Sequence, residues 1–175
     1  MTNQTNELLF EMTVPQFSKT LRNLLVILEK SAGHAESKKF ETEVLLNSRL
    51  APDQFNLIKQ VQIACDTAKL CASRLSGKDA PVHEDKEKTL ADVKNRIQQV
   101  INYLGTFSSS DFSEAATKKI TQPRWEGKWL TGKDYVVHHA IPNLYFHVTT
   151  AYSILRHNGV EVGKKDYLGE LPFQK

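Results

Sequence analysis

The chain has 175 residues, a mass of 19.9 kDa and 40% apolar residues, which is the size and composition of one folded domain. Its 23 Lys and Arg against 20 Asp and Glu leave a net charge of +3 with both signs interspersed, so we expect no nucleic-acid partner. The longest apolar stretches are shorter than the roughly 20 residues of a membrane span, and residues 1–10 lack the pattern of a secretory signal. We therefore expect a single domain over residues 1–175, no membrane partner and a cytoplasmic location.

The first helix is predicted over Val14–Glu36, because apolar side chains there recur at steps of three and four residues. Thr13 is its expected N-cap, and Pro15 falls in the first turn, where a helix tolerates proline. A short helical turn is expected around Val44–Leu46, in the segment that connects onward to the next helix.

A second and a third helix follow in the middle of the chain. Pro52 opens the second helix, whose apolar stripe follows the helical period, and Gly77 ends it. Residues 76–88 combine glycine, proline and alternating charge, which predicts a long loop. Thr89 then caps the third helix, and Gly105 ends it.

The last third of the chain changes character before a final helix. Residues 106–131 alternate weakly in hydropathy around Gly127, which predicts a short exposed β-hairpin or an extended loop. The final helix is expected from about residue 132 until Gly159 caps it. Pro142 inside it predicts a kink, unless the helix starts close to Pro142 itself. Four main helices predict an all-α four-helix bundle with this small insertion before the last helix.

Polar residues interrupt the apolar face of the final helix. Helical geometry places His147 at the centre of that face, with Asn143 on the same side and His139 one further turn back at its edge. Gln60 and Gln62 flank the apolar stripe of the second helix from opposite sides, so either amide can reach the same interior space. A buried imidazole needs a hydrogen-bond partner. Two interpretations stay open: a core histidine satisfied by Asn143 or Gln62, and a site for a small ligand or a metal.

Two long segments of the chain resemble a known family. They are DYVVHHAIPNLYFHVTTAYSILRHNGVEVGKKDYLG from Asp134 and LLNSRLAPDQFNLIKQVQIACD over Leu45–Asp66. Over nearly its whole length the chain resembles the bacterial domain-of-unknown-function family nineteen-ninety-three, which is similar to the DinB and YfiT superfamily. The resemblance implies a DinB-like four-helix bundle. Many superfamily members carry a metal site with one histidine from the second helix and an H-x-x-x-H pair from the last, and some relatives are thiol-dependent transferases or isomerases.

The resemblance transfers this metal site to the present sequence only in part. If the L-R-x-x-G motif at residues 155–159 is aligned, the second histidine of the pair falls on His147, but the first falls on Asn143. The histidine of the second helix falls near residues 60–62, which hold two glutamines. Amide oxygens bind transition metals much more weakly than imidazole does. We therefore expect no bound metal, with a divalent zinc, nickel or iron ion held by His147 as the alternative.

The expected function is the binding of a small molecule at a degenerate metal site formed by Gln60, Gln62, Asn143, His147 and His139. The alternative is a metal-dependent thiol transferase or isomerase of the DinB and YfiT type, with His147 as a metal ligand. The residues leave open whether the protein is an enzyme, and they name no substrate.

The final helix also predicts self-association. It is apolar or aromatic on a second side, and exposed patches of that extent are unusual in monomers, so we expect a symmetric homodimer through this helix. The alternative is that the hairpin and the C-terminal tail cover the same side. The residues of this second side are Ile141, Tyr145, Phe146, Val148 and Tyr152.

Overall fold

Four long helices pack around a shared hydrophobic core in the computed structural model, which describes residues 2–174. In chain order the helices are α1 (Thr2–Lys38), α2 (Glu43–Leu46), α3 (Leu57–Ser76), α4 (Leu90–Leu104), α5 (Gly132–Tyr135), α6 (Ile141–His157) and α7 (Lys164–Leu168). Helix α3 makes its most extensive contacts with α6, and α1 packs against α3, α4 and α6. The predicted all-α four-helix bundle is confirmed. None of the helices within residues 2–174 combines the length and apolar character that crossing a membrane requires.

Helix α1 begins well before the predicted start at Val14. Thr13 is not its N-cap, because it lies inside the helix and its hydroxyl donates to the carbonyl oxygen of Leu9 at 2.6 Å. Tertiary contacts stabilise the additional turns: Leu9 is buried in the core, and the Asn6 side chain accepts a hydrogen bond from the backbone N–H of Ala116 at 2.8 Å. The local start signal at Thr13 is therefore overridden by packing.

The ends of α3 and α4 follow local capping chemistry. The side chain of Asn56 caps α3 by accepting from the backbone N–H of Lys59 at 3.1 Å, so Pro52 lies in the preceding turn and does not open the helix as predicted. Gly77 ends α3 with a positive φ of 88°, which confirms it as the C-terminal stop. Thr89 caps α4 through a capping box, also as predicted.

The predicted hairpin is present but very short. Strands β1 (Lys119–Ile120) and β2 (Leu130–Thr131) pair antiparallel, and Gly127 supplies a positive φ of 83° in the turn between them. Trp125 lies in a 3-10 turn between the strands and packs against the core, while Trp129 is exposed. The hairpin therefore contributes one of its two tryptophans to the bundle.

The last helical run continues from α5 into α6 but changes its winding. Residues Val136–Ala140 form a π-helical turn, which contains His139. Pro142 is in the first turn of α6, directly after this wider turn, so its missing N–H falls where the regular hydrogen-bond ladder is already interrupted. The alternative prediction, a helix that starts close to Pro142, is therefore confirmed, with a π-helical turn before it in place of a simple kink. Gly159, with φ of 86°, follows the end of α6 as predicted.

Candidate ligand-binding cleft

A cleft of about 490 Å³ runs along the contact between α3 and α6. Pro123, in the 3-10 turn of the hairpin, lines it together with Phe55, which precedes α3. This volume is within the range of small-molecule sites in proteins. A larger depression of about 570 Å³, between the end of α1 and Gly159, contains none of the predicted site residues. The α3–α6 cleft is therefore the candidate site.

Three side-chain hydrogen bonds join α3 to the last helical run beside this cleft. They connect Gln60 with His147, Thr67 with Asn143, and Arg74 with Tyr135. The α3 members are seven residues apart, and seven residues are almost two full turns, so they share one face of that helix. Their partners occur in the reverse order along the chain, because the two helices run antiparallel.

His147 is held in one orientation and one protonation state. Its Nδ1 atom lies 2.7 Å from the side-chain oxygen of Gln60, whose amide nitrogen in turn donates to the carbonyl oxygen of Phe55 at 3.0 Å. Because Gln60 presents an acceptor, the Nδ1 atom of His147 is the protonated nitrogen. Burial lowers the pKa of His147 to about 4, so the ring is neutral at pH 7. Its Nε2 atom carries a lone pair and has no hydrogen-bond partner within residues 2–174.

Asn143 also has unused hydrogen-bonding capacity. Its amide nitrogen donates to the hydroxyl of Thr67 at 2.7 Å, and that hydroxyl donates to the carbonyl oxygen of Ile63 at 2.7 Å. This chain fixes the orientation of the Asn143 amide and leaves its oxygen as an acceptor. Asn143 and His147 therefore line the cleft with two acceptor atoms, one turn of α6 apart.

His139 lines the same cleft, and a residue of the hairpin holds its ring in place. Its Nε2 atom accepts a hydrogen bond from Arg124 at 2.8 Å, and its ring stacks on Tyr135 with centroids 5.4 Å apart. Because an arginine only donates, the proton of the neutral ring is on Nδ1, which is buried without a partner in the part of the chain described. Burial, together with the charges of Arg124 and Arg74, lowers the pKa of His139.

The prediction that Gln62 shares this interior space is wrong. Its amide nitrogen donates to Glu87 at 2.8 Å, on the side of α3 that faces the loop before α4. Residues two apart on a helix point about 200° from each other, so α6 covers Gln60 and the loop covers Gln62. Of the predicted site residues, Asn143, His147 and His139 line the cleft, Gln60 supports it, and Gln62 lies elsewhere.

Sequence reasoning missed Arg74, Arg124 and Tyr135, which line the cleft near His139. A usable signal exists for Arg74, because its seven-residue spacing from Thr67 places it on the same helix face. Arg124 has no such signal, since its position depends on how the hairpin folds against the bundle.

The residues present do not fit the three-histidine metal site that the superfamily resemblance implies. His147 shares the lining of the cleft with Asn143 and Thr67, so its imidazole is accompanied by an amide and a hydroxyl. Across residues 2–174 there is no group of three His, Cys, Asp or Glu side chains arranged to hold a metal ion. Neutral oxygen donors of this kind bind zinc, nickel and iron poorly compared with imidazole or thiolate.

The fold and the cleft place the chain in the class of antiparallel four-helix bundles with a polar cleft between the second and last long helices. The chain is 59% identical to a DinB family member protein from Shewanella denitrificans, whose crystal structure it matches with a TM-score of 0.96. The match covers 99% of this chain and 98% of that one. The family described as Domain of unknown function (DUF1993) matches residues 9–168. The chain therefore belongs to the DUF1993 family of DinB-like four-helix bundles, and among curated proteins none matches it.

Proposed function

We propose that this protein binds a small molecule in the α3–α6 cleft, through hydrogen bonds to side chains and without a metal ion. The observation that carries the proposal is the state of His147, whose Nδ1 is fixed by Gln60 while Nε2 remains a free acceptor in the cleft wall. His147 is only 8% exposed and still contributes to the lining of a cleft of ligand size.

The two free acceptor atoms of His147 and Asn143 determine which ligand groups can bind beside them. The Nε2 atom of His147 and the side-chain oxygen of Asn143 both need a donor, so a ligand hydroxyl or N–H group is complementary to them. Their orientation is set in advance by Gln60 and Thr67, which lowers the ordering cost of binding. His139 also lines the cleft, but Arg124 already donates to its Nε2 atom, so it does not offer a third free acceptor.

Histidine-ring NMR spectra test the proposal directly. We expect small neutral fragments with hydroxyl or amide donors to shift the ring signals of His147 and to lose that binding in His147→Leu. The control is His157→Leu, which replaces an exposed histidine at the end of α6 and should bind as the parent does. If fragments bind equally to the parent and to His147→Leu, the proposal is wrong.

The alternative function, a metal-dependent thiol transferase or isomerase with His147 as ligand, needs a metal site that the donor set does not match. No feature of the cleft favours it over hydrogen-bonded binding. Elemental analysis of protein purified without added metal separates the two: near-stoichiometric zinc, nickel or iron would support the enzyme.

The homodimer expected from the sequence is a further part of the proposal, with a smaller contact surface than the sequence suggested. Val148 is buried, and Ile141 is partly buried against the core. Tyr145 bonds Gln16, and Tyr152 packs against Tyr167 of the C-terminal segment. Phe146 remains, with 58% of its surface exposed.

Light scattering at micromolar concentration tests this association. We expect the dimer mass for the parent chain and the monomer mass for Phe146→Glu. Val82→Glu is the control, because it places the same charge on another exposed apolar residue away from α6. A monomer mass for the parent chain would contradict the proposed dimer.

A further inference from the structure

Two arginines line the cleft near His139, and neither is paired with an acid. Arg74 donates from Nη1 to the hydroxyl of Tyr135 at 2.9 Å, and Arg124 donates from Nη2 to Nε2 of His139 at 2.8 Å. Neither guanidinium forms an ion pair with an Asp or Glu side chain in the part of the chain that the structure describes. Arg74 is half-buried, so its charge is partly removed from water without a carboxylate beside it, whereas Arg124 is exposed.

The hydrogen-bond partners of these arginines fix their positions without neutralising them. Burial raises the pKa of Tyr135 to about 12, and burial lowers the pKa of His139, so both partners are uncharged at pH 7. The rings of Tyr135 and His139 stack, which fixes both acceptors in one geometry. Two oriented positive charges therefore remain uncompensated beside one pair of stacked rings.

The only acid among the residues that line the cleft does not compensate them. Asp66 contacts Arg96 and Lys69, each at 2.9 Å, on the other side of α3. With Asp66 already balanced, and with His139 and His147 neutral, the cleft has an excess of positive charge. Each guanidinium is a planar fork of N–H donors, a geometry that suits a carboxylate, and each keeps donors that its one hydrogen bond does not use.

Apolar side chains also line the cleft, namely those of Phe55, Ile63, Leu70 and Pro123. We infer that the ligand of this cleft is a small organic acid whose carboxylate binds at Arg74 and Arg124 and whose apolar body lies against these side chains. This inference rests on the proposed function, since it specifies the ligand class for the same cleft. The expected ligand therefore has an acidic group for the two arginines and a hydrogen-bond donor for His147 and Asn143.

Titration of the full chain with three matched probes tests the inference. Benzoate carries the carboxylate, benzamide has nearly the same shape without the charge, and phenyl phosphate carries a different anion. Each is titrated at low ionic strength, where charge contributes most, and binding is followed by calorimetry and by the NMR signals of the cleft. The variants are Arg124→Gln and Arg74→Gln, with Arg22→Gln as the control for loss of an exposed positive charge on α1.

We expect benzoate to bind at least about tenfold more tightly than benzamide, which is the ratio that one charge-assisted hydrogen-bond pair provides. Arg124→Gln should remove most of that preference, and Arg22→Gln should retain it. Because Arg124 is exposed, its replacement leaves the core intact, whereas Arg74→Gln also removes the bond to Tyr135.

Three results would overturn the inference. Equal affinities for benzoate and benzamide, or a benzoate preference that survives both arginine substitutions, would exclude the carboxylate site. Tighter binding of phenyl phosphate than of benzoate would assign the two arginines to a phosphate instead. Neutral fragments that still bind in a His147-dependent way under any of these results would leave the proposed function standing while this inference fails.

Discussion

Arginines on the two sides of α3 are in opposite electrostatic settings. On the side toward α4, Arg96 is only 2% exposed and contacts Asp66 at 2.9 Å, Asp85 at 2.6 Å and Glu87 at 2.9 Å. On the side toward α6, Arg74 and Arg124 contact only neutral partners. We call the Arg96 group closed, because its own acids balance its charge. We call the group of Arg74 and Arg124 open, because no acid of the described residues pairs with either arginine.

The Arg96 group serves the fold. It fastens the loop before α4 to α3, because Asp85 also pairs with Lys59 at 2.7 Å and Glu87 also accepts from Gln62 at 2.8 Å. Three basic and three acidic side chains take part, so their charges balance. They are Lys59, Lys69 and Arg96, and Asp66, Asp85 and Glu87.

The comparison shows why converging polar residues do not by themselves identify a site. Both groups bring together side chains that are distant in the sequence, and a glutamine of α3 lies near each: Gln62 bonds Glu87, and Gln60 bonds His147 of the same cleft. They differ in whether their charges and acceptors are satisfied within the chain. An unpartnered acceptor such as that of His147, or an unpaired charge such as that of Arg124, indicates a ligand when it lies next to a cleft.

The largest expected effect on the stability of the protein comes from a substitution in the closed group. Arg96→Met should lower the free energy of unfolding by about 3–5 kcal/mol, because it leaves acidic groups in a half-buried setting without their shared cation. Denaturant-induced unfolding measures this loss. Arg22→Met, at an exposed position, should change stability by less than about 0.5 kcal/mol. A similar small change for Arg96→Met would remove the distinction between the two groups.

The next effect is a pH dependence that belongs to His147. Its pKa in the folded protein, about 4, is below the ordinary value of 6.5, so the unfolded chain binds the proton more readily. The contribution of the neutral ring is therefore fully present above pH 6.5 and is lost as the pH falls toward 4, by up to about 3 kcal/mol.

Unfolding measured between pH 7 and pH 4 checks this dependence in the parent chain and in His147→Leu. His139 and His83 also have lowered pKa values, so the difference between the two proteins isolates His147. His157→Leu should retain the full dependence of the parent. Identical pH profiles for the parent and His147→Leu would contradict the assignment.

A smaller effect is expected when the His147 ring is removed at neutral pH. His147→Ala should cost about 1–3 kcal/mol, because it leaves a cavity and an unpaired oxygen on Gln60. His147→Leu should cost less, since it restores the packing. Thermal and denaturant unfolding of both variants measure the difference. Equal losses in the two variants would show that the hydrogen bond to Gln60, which both variants lack, outweighs the packing of the ring.

The smallest expected effect on stability is at the open group. Arg124→Gln should change the free energy of unfolding by less than about 0.5 kcal/mol, because it removes an exposed and uncompensated charge. Equilibrium unfolding beside Arg96→Met gives the direct contrast. A loss of more than about 2 kcal/mol would mean that Arg124 serves the fold as Arg96 does.

Local signals located most helix ends in the sequence. Gly77, Thr89 and Gly159 act within a few residues of themselves, so their roles could be predicted without knowledge of the fold. The start of α1 could not, because Thr13 and Pro15 form a convincing local start signal. Contacts from Asn6 to a segment about a hundred residues away outweigh that signal.

The sequence by itself determined which faces of α3 and α6 are buried, and it placed His147 and Asn143 on the face that lines the cleft. It could not distinguish Gln60 from Gln62, because periodicity defines the two flanks of a helix but not which neighbour covers each flank. Only the tertiary structure decided that α6 lies on the Gln60 side. The same holds for Arg124, which reaches His139 because the hairpin folds back onto the bundle, a long-range arrangement that no local spacing encodes.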